Sequence, residues 1–571
     1  MNRNERRRME RQRRRDSRQA GGPDVAAESA HAAGLSEAVH HLEAGRPEDA
    51  AQICRQLLKR QPGDAEALNL AGIAAFQTGH ADRAVKFLRS AVGRHPGHVD
   101  AHNNLGNVLK AQGAFADAEE SYRQAIALSP DHADAHFNLG LALESQGRPD
   151  AAIGAYDRAV ASRPDFAEAY FSRGNALKAA GRLAEAEAAY RTALEFAPGH
   201  GRAHNNLGVV LRETGRPGAA EESYRRALEI APDDADANYN LGIAFQDRDR
   251  LADAEARYRR ALELAPDYVP ALVNLGNVLQ KKGDLSAAIV AYRSAIALAP
   301  DYSGAHMNLA DARLESGEPG AALAVCDDYL AGKPGDTALL AFRALVLMEL
   351  GEREAANVLV DFDRLLRPVQ HTEAPGFADM AAFNAALADH VRGHPTLTAA
   401  PMSHATRDGR HSGELLLEPK GPVAALEQMI DAAIADYSAA LPVDAGHPFA
   451  AAKPPDYDLS VWGVVLTGPG HQIAHIHPSA WISGVYYPQV PAAVDAPNRG
   501  QGQGQTQGHA GWIEFGRPPD HFHCRAESEV RLFRPEEGLM LLFPSYLYHR
   551  TIPFEGTDER ISVAFDARPL G

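Results

Sequence analysis

The sequence predicts an α + β multidomain protein, with an N-terminal all-α repeat superhelix followed by a C-terminal jelly roll with flanking helices. Three observations carry this prediction. Proline recurs at positions 62, 96, 130, 164, 198, 232, 266, 300, 334 and 368, a constant step of 34 residues. That register stops after Pro368. Beyond it, helical stretches give way to short apolar runs rich in β-branched and aromatic residues, separated by turn residues.

Composition bounds the function classes. The chain has 571 residues, too many for one core. Lys+Arg is 58 against Asp+Glu 75, a net charge of −17. Residues 1–18 hold nine Arg and three acids, so the remainder carries −23, which argues against a broad nucleic-acid-binding surface. Cys54, Cys326 and Cys524 lie too far apart in sequence for a disulfide framework or a Cys-rich zinc site. No apolar run of about 18 residues exists to span a membrane. The Arg-rich start has no apolar stretch behind it, so it is not a secretory signal. The expectation is a soluble protein of a reducing compartment, the cytoplasm.

The first element is a basic arm. Residues 1–32 run from MNRNERRRMERQRRRD into an Ala/Gly-rich stretch without apolar periodicity, so a disordered arm, or at most a solvated helix, is expected. Residues 33–370 divide into ten units of 34 residues, one of which, 101–134, reads AHNNLGNVLKAQGAFADAEESYRQAIALSPDHAD. Glycine recurs at 45, 79, 113, 147, 181, 215, 283, 317 and 351, with Asp249 the exception, and supplies a helix stop. Tyrosine recurs at 122, 156, 190, 224, 258 and 292 and should pack against the first helix of its unit. The early small residue there (Gly106, Gly140, Gly174) lets the two helices approach closely. Proline ends or restarts a helix because it lacks an N–H. Helix–turn–helix units with this pattern resemble the tetratricopeptide repeat, which implies neighbour-on-neighbour stacking with a concave face.

Asparagine occupies the fourth position of the unit at Asn104, Asn138, Asn206, Asn240, Asn274 and Asn308, with a break at Ser172. Such a column offers a donor and an acceptor to the backbone amides of an extended chain. The pattern AxxNLG resembles the repeats of the protein O-linked N-acetylglucosamine transferases, where an asparagine ladder holds a peptide. The resemblance implies a polypeptide substrate or protein partner on the concave face. The alternative is that these side chains only solvate or cap an inner helix face.

After the repeats, residues 371–394 are read as a connecting helix, closed by Gly393 and Pro395, and a second helix fits 421–439. The jelly roll occupies 395–571. Its strand candidates are LSVWGVVLTG (459–468), WISGVYYPQV (481–490), GWIEFG (511–516), EVRLFRP (529–535), GLMLLFPS (538–545) and RISVAFDA (560–567). Between two of them lies DAPNRGQGQGQTQGHA (495–510), read as a flexible loop.

Histidine crowds into this region, and two arrangements could bind a metal. One is His475-Ile476-His477 with His549, which lies seventy-four residues beyond His475. Residues i and i+2 of an extended chain point to one side, so both imidazoles can reach one ion. The other is His521-Phe522-His523 with Cys524, which has no obvious third partner. The first is favoured by its context, WISGVYYPQVP after the pair and GLMLLFPSYLYHRTIPFEGTDERISVAF around His549, with Arg560 eleven residues on and Ser562 two further.

These segments resemble the C-terminal half of Fe(II)/2-oxoglutarate-dependent oxygenases, most closely a bacterial and phage branch, over roughly residues 395–571. The resemblance implies a double-stranded β-helix. It implies Fe(II) and the cosubstrate 2-oxoglutarate, with O₂ as oxidant. It makes His475, His477 and His549 candidate metal ligands, and Arg560 and Ser562 the grip on the far carboxylate of 2-oxoglutarate. Imidazole suits Fe(II), and a planar, permanently charged guanidinium suits a carboxylate.

One departure stands out. The family's motif is His-x-Asp/Glu, and His477 occupies the acid's place. His477 as a third nitrogen ligand, a two-His site completed by water, and a dead site all remain open. The leading expectation is hydroxylation of a protein or peptide held by the repeats. The rivals are a non-catalytic scaffold with a degenerate jelly roll, and an oxygenase of a small molecule or glycan whose repeats serve only location.

Overall fold

The computed structural model describes residues 23–400, 405–417, 419–441, 447–495 and 509–570. The Arg-rich start and most of the Gly/Gln-rich loop 495–510 lie outside the described residues. The chain divides into two compact units, Met1–Leu211 with Arg226–Pro232, and Arg212–Arg225 with Asp233–Gly571.

In the first unit the 34-residue period becomes helix–turn–helix pairs such as Val99–Ala111 followed by Phe115–Leu128. The turn glycines adopt positive φ, 77° at Gly113 and 71° at Gly147, where a side chain would be strained. Tyr122, Tyr156 and Tyr190 are fully buried. A Cβ added at Gly106 would come within 2.5 Å of the Tyr122 ring, and one at Gly174 within 2.6 Å of Tyr190, so only glycine admits this approach. Two of these buried phenols keep partners in their own repeat, Tyr122 donating to Asn107 Oδ1 at 2.9 Å and Tyr190 to Asn175 Oδ1 at 2.8 Å.

The helical region begins earlier than expected. Residues 23–32, read as part of a disordered arm, belong to the helix Pro23–Glu43. Proline is at home in the first helical turn, and the alanines that follow favour the helix. His31 then bonds the Asp64 carboxylate.

In the second unit the same pairing continues through Thr337–Glu349 and the short helix Arg353–Leu359. The repeats end sooner than residue 370, because Arg367–Gln370 is strand β1. Pro368 cannot continue a helix and biases Arg367 to extended backbone, and an edge strand tolerates it. The connecting helix is likewise shorter than 371–394. It spans Met380–Gly393, started by Asp379, whose side chain accepts from the Ala382 N–H.

All six expected strands are present. Among the described residues the strands are β1, β2 (Thr398–Ala399), β3 (Thr406–His411), β4 (Tyr457–Gln472), β5 (Ile482–Gln489), β6 (Ile513–Phe515), β7 (Arg531–Phe533), β8 (Leu539–Pro544), β9 (His549–Thr551) and β10 (Glu559–Pro569). They form a seven-stranded sheet, β1-β8-β5-β10-β4-β3-β2, and a three-stranded sheet, β7-β6-β9. Every pairing is antiparallel. β10 lies between β4 and β5. The helix Val423–Ala440 contributes its apolar side chains to the same core.

One hydrophobic core runs from the last repeats into the sheets, taking in Leu314, Tyr329, Phe342, Phe383, Ile430, Tyr486 and Phe565. Polar contacts fasten the same junction. Asp311 accepts from the His523 backbone and ring, each at 2.9 Å. Glu349 accepts from the backbone N–H groups of Arg525 and Ala526 at 2.8 and 2.9 Å. Thr337 donates to the Pro478 carbonyl at 2.8 Å, directly after His477. His523 of the second histidine pair is therefore a docking contact, with Asp311 and Glu315 of the repeats as its partners.

Candidate metal centre

His475 and His549 face each other across an antiparallel bridge, with N···O distances of 3.1 and 3.0 Å in its two directions. His477 is anchored to the Ser545 carbonyl at 3.0 Å. Two residues along an extended chain, the two rings of the pair reach the same side. Ring centroids stand 4.2 Å (His475–His549), 5.1 Å (His477–His549) and 5.2 Å (His475–His477) apart. One nitrogen from each ring lies within 4.8 Å of the others, a set that could hold a metal ion.

The other ring nitrogens are engaged. Nδ1 of His475 bonds the Ile473 carbonyl at 2.8 Å, Nδ1 of His549 the Leu547 carbonyl at 3.0 Å, and Nδ1 of His477 the Asp566 carboxylate at 2.7 Å. A carbonyl only accepts, so in the first two rings Nδ1 carries the proton and Nε2 keeps its lone pair. Burial pushes the His475 pKa down to about 3, with the neighbouring His477 adding to the effect. Burial holds His549 well below its usual range, helped by both other rings. Both imidazoles are thus neutral, the form that binds a cation.

Arg560, Ser562, Ala564 and Asp566 alternate with core residues on β10 and share one face. Arg560 and Ser562 line the same cavity as the three histidines, together with Tyr487, Trp462, His411, Gln472 and Thr551; its volume is about 150 Å³. Arg560 is 2% exposed, and among the described residues its only side-chain hydrogen bond runs from Nη2 to the Tyr487 hydroxyl at 3.3 Å. Its Nε and Nη1 are buried with no partner. Burial lowers the Arg560 pKa, opposed by Tyr487. An unpaired guanidinium in such a place is costly, and a carboxylate would satisfy it. The residues present therefore fit a divalent metal beside a dianionic acid.

The site was only partly visible in the sequence. Asp566, an acid outside the His-x-His motif, holds His477. The signal was period two, since 560, 562, 564 and 566 fall on one face of a strand. Tyr487, on the neighbouring strand β5, touches the guanidinium.

The asparagine column is half-buried, and most of it already has partners. Asn104 donates to Asn69, Asn138 to Asn103, Asn206 to Asn175, Asn274 to the Tyr239 hydroxyl and Asn308 to Asn277, at 2.8–3.2 Å. Each of these bonds joins one repeat to the preceding one. Asn240 stands at the same position of its own unit.

Comparisons with known proteins agree with this division. Residues 460–566 match the family described as "Putative 2OG-Fe(II) oxygenase". Tetratricopeptide-repeat families match residues 35–99, 103–165, 145–201, 171–235 and 273–337, and residues 233–301. No curated protein matches the chain. Similar solved structures include MamA, 28% identical over 28% of this chain and 93% of that one, with a TM-score of 0.27. YrrB, a TPR protein with an unusual peptide-binding site, is 25% identical over 33% of this chain and 96% of its own, with a TM-score of 0.30. The pilF protein of Pseudomonas aeruginosa is 21% identical over 37% and 96%, with a TM-score of 0.34. No helix among the described residues is long and apolar enough to cross a membrane. The chain carries tetratricopeptide repeats in its N-terminal region, and a C-terminal segment, residues 460–566, is similar to the 2OG-Fe(II) oxygenase family.

Proposed function

We propose that this chain is an Fe(II)- and 2-oxoglutarate-dependent hydroxylase of a protein or peptide substrate held by its repeats, acting in the cytoplasm. The observation that carries the reading is the buried, unpaired Arg560 guanidinium in one small cavity with three convergent imidazoles. His475, His477 and His549 would hold Fe(II) through Nε2. Arg560 would take the far carboxylate of 2-oxoglutarate through its two partnerless nitrogens, with the Ser562 hydroxyl as a further donor and Tyr487 fixing the guanidinium. When bound, this pair supplies oxidation of a substrate C–H bond by O₂, with 2-oxoglutarate converted to succinate and CO₂. The protein's part is to orient, to exclude water and to present the carbon.

Cavity size bears on the substrate. Small-molecule sites typically have about 300–1,000 Å³, whereas this one has about 150 Å³. Once the cosubstrate is in place, little more than one side chain of a substrate would fit. A polypeptide presenting one residue suits that limit. The second amide hydrogens and carbonyl oxygens of the asparagine side chains would contact its backbone at Asn104, Asn138, Asn206, Asn240, Asn274 and Asn308.

Anaerobic Fe(II) titration in the presence of 2-oxoglutarate tests the site. The weak visible charge-transfer band of the chelate should form in the wild type and vanish in His549→Ala. No band in either protein would leave the scaffold reading in its place. Removal of the repeats from the first unit tests delivery, because undiminished turnover would point to a small substrate.

A further inference from the structure

We infer that Asp566 is a positioning residue of the metal centre, one that sets the tautomer of His477 and returns to the site, from outside the coordination shell, the negative charge that three imidazoles lack. This rests on the three-histidine reading proposed above. The geometry is asymmetric. His475 and His549 each lean on a main-chain carbonyl, whereas His477 leans on a carboxylate. Asp566 is 5% exposed, and among the described residues its only ion-pair partner is His477. Its Oδ1 also accepts from Ser483 Oγ at 2.6 Å. Ser483 is fully buried and sits 2.9 Å from the equally buried Ser545 Oγ. Ser545 in turn holds the His477 backbone through its carbonyl. One network of two serines and an aspartate therefore fixes both the main chain and the ring of a single ligand.

Charge gives the arrangement its sense. In the usual facial set a carboxylate binds the metal directly, and here that position is His477. A divalent ion, a 2-oxoglutarate dianion and the Arg560 cation that grips its far carboxylate would together still lack one negative charge. Asp566, on the same strand face, supplies it. A buried charge without compensation is expensive, so one carboxylate near the cavity is what electrostatics demands. A carboxylate on Nδ1 also makes the opposite nitrogen a better donor to a metal, and loss of such partners typically costs about 10–100-fold in metal affinity.

The test uses the full-length chain, with Co(II) as the probe metal, and the variant Asp566→Asn. Wild-type affinity is measured by competition against a chelator. Histidine tautomers are read by two-bond ¹H–¹⁵N correlation NMR on the metal-free wild type. The expected results are an Nδ1–H tautomer at His477 with a strongly downfield proton, and a 10–100-fold loss of Co(II) affinity in Asp566→Asn at unchanged melting temperature. An Nε2–H tautomer at His477 overturns the inference even if the variant does not fold. Unchanged Co(II) affinity in a folded variant overturns it too. If the wild type itself binds no Co(II), the three-histidine reading fails instead, a different result from either.

Discussion

Polar groups inside the repeats and polar groups inside the sheet region are treated in opposite ways. In the repeats, most buried or half-buried amides and phenols find partners within the array, as Asn104 does with Asn69, Asn308 with Asn277 and Tyr190 with Asn175, the Tyr224 hydroxyl being an exception. Around the cavity, Arg560 keeps two nitrogens without a partner, and three imidazoles turn bare nitrogens toward one point. A saturated network holds a fold together. An unsaturated one in the core marks the place a ligand completes. Substitutions on the two sides should therefore trade stability and function differently.

The largest effect is expected at Arg560. Arg560→Met removes two prospective charge-assisted hydrogen bonds, each worth about 1.5–3 kcal/mol, so the KM for 2-oxoglutarate should rise by roughly 100-fold or more. The melting temperature should hold or rise, because an unpaired buried cation is replaced by an apolar side chain of similar length. Steady-state kinetics and calorimetry on the same sample check both halves. A variant that unfolds while retaining its KM would place Arg560 with the structural networks.

Acid should separate the regions next. Burial lowers the pKa of His475 to about 3 and holds that of His549 well below its usual range. A group with a depressed folded pKa takes up its proton only on unfolding. The metal-free sheet region is thus stabilised above the unfolded histidine value of about 6.5 and loses that contribution as pH falls from there toward 3. Denaturant melts followed at Trp462, Trp481 and Trp512 should show it. The same melts on His475→Gln should be flatter in this window, and an unchanged slope would mean that the rings are not buried in their neutral form.

In the repeats, Gly106→Ala forces a methyl to 2.5 Å from the Tyr122 ring. Overpacking of this kind costs about 1–3 kcal/mol. It should lower the stability of the first unit while leaving Co(II) affinity at the histidines unchanged. A loss of metal affinity would show that the contrast drawn here is too sharp.

How much could be read in advance follows from the same contrast. Repeats make contacts at fixed sequence offsets, so spacing alone located the glycines, the tyrosines and their packing. The sheet strands announced themselves by β-branched runs, but β9 is only His549–Thr551 and β3 is TRDGRH, too short or too polar to stand out. The pairing of His475 with His549 was reachable only through a resemblance, since no local pattern encodes a contact across seventy-four residues. Asp566 escaped because a residue that acts through another obeys no ligand spacing.

Asp249 yields the smallest effect and a clean test of the period. It occupies the turn position that is glycine in nine other units, and it adopts the same left-handed conformation, φ 56°. It is exposed, and its backbone N–H caps the preceding helix by bonding the Gln246 carbonyl at 3.0 Å. Aspartate tolerates this region better than most residues, yet it still carries a Cβ that glycine lacks. Asp249→Gly removes that strain but enlarges the freedom of the unfolded chain, so the gain should be small, about 0.5–1 kcal/mol. Asp249→Val should destabilise by more than this, because a β-branched side chain is a true outlier at positive φ. If both variants melt with the wild type, the turn conformation at 249 contributes nothing, and the 34-residue glycine is a mark of ancestry rather than of backbone geometry.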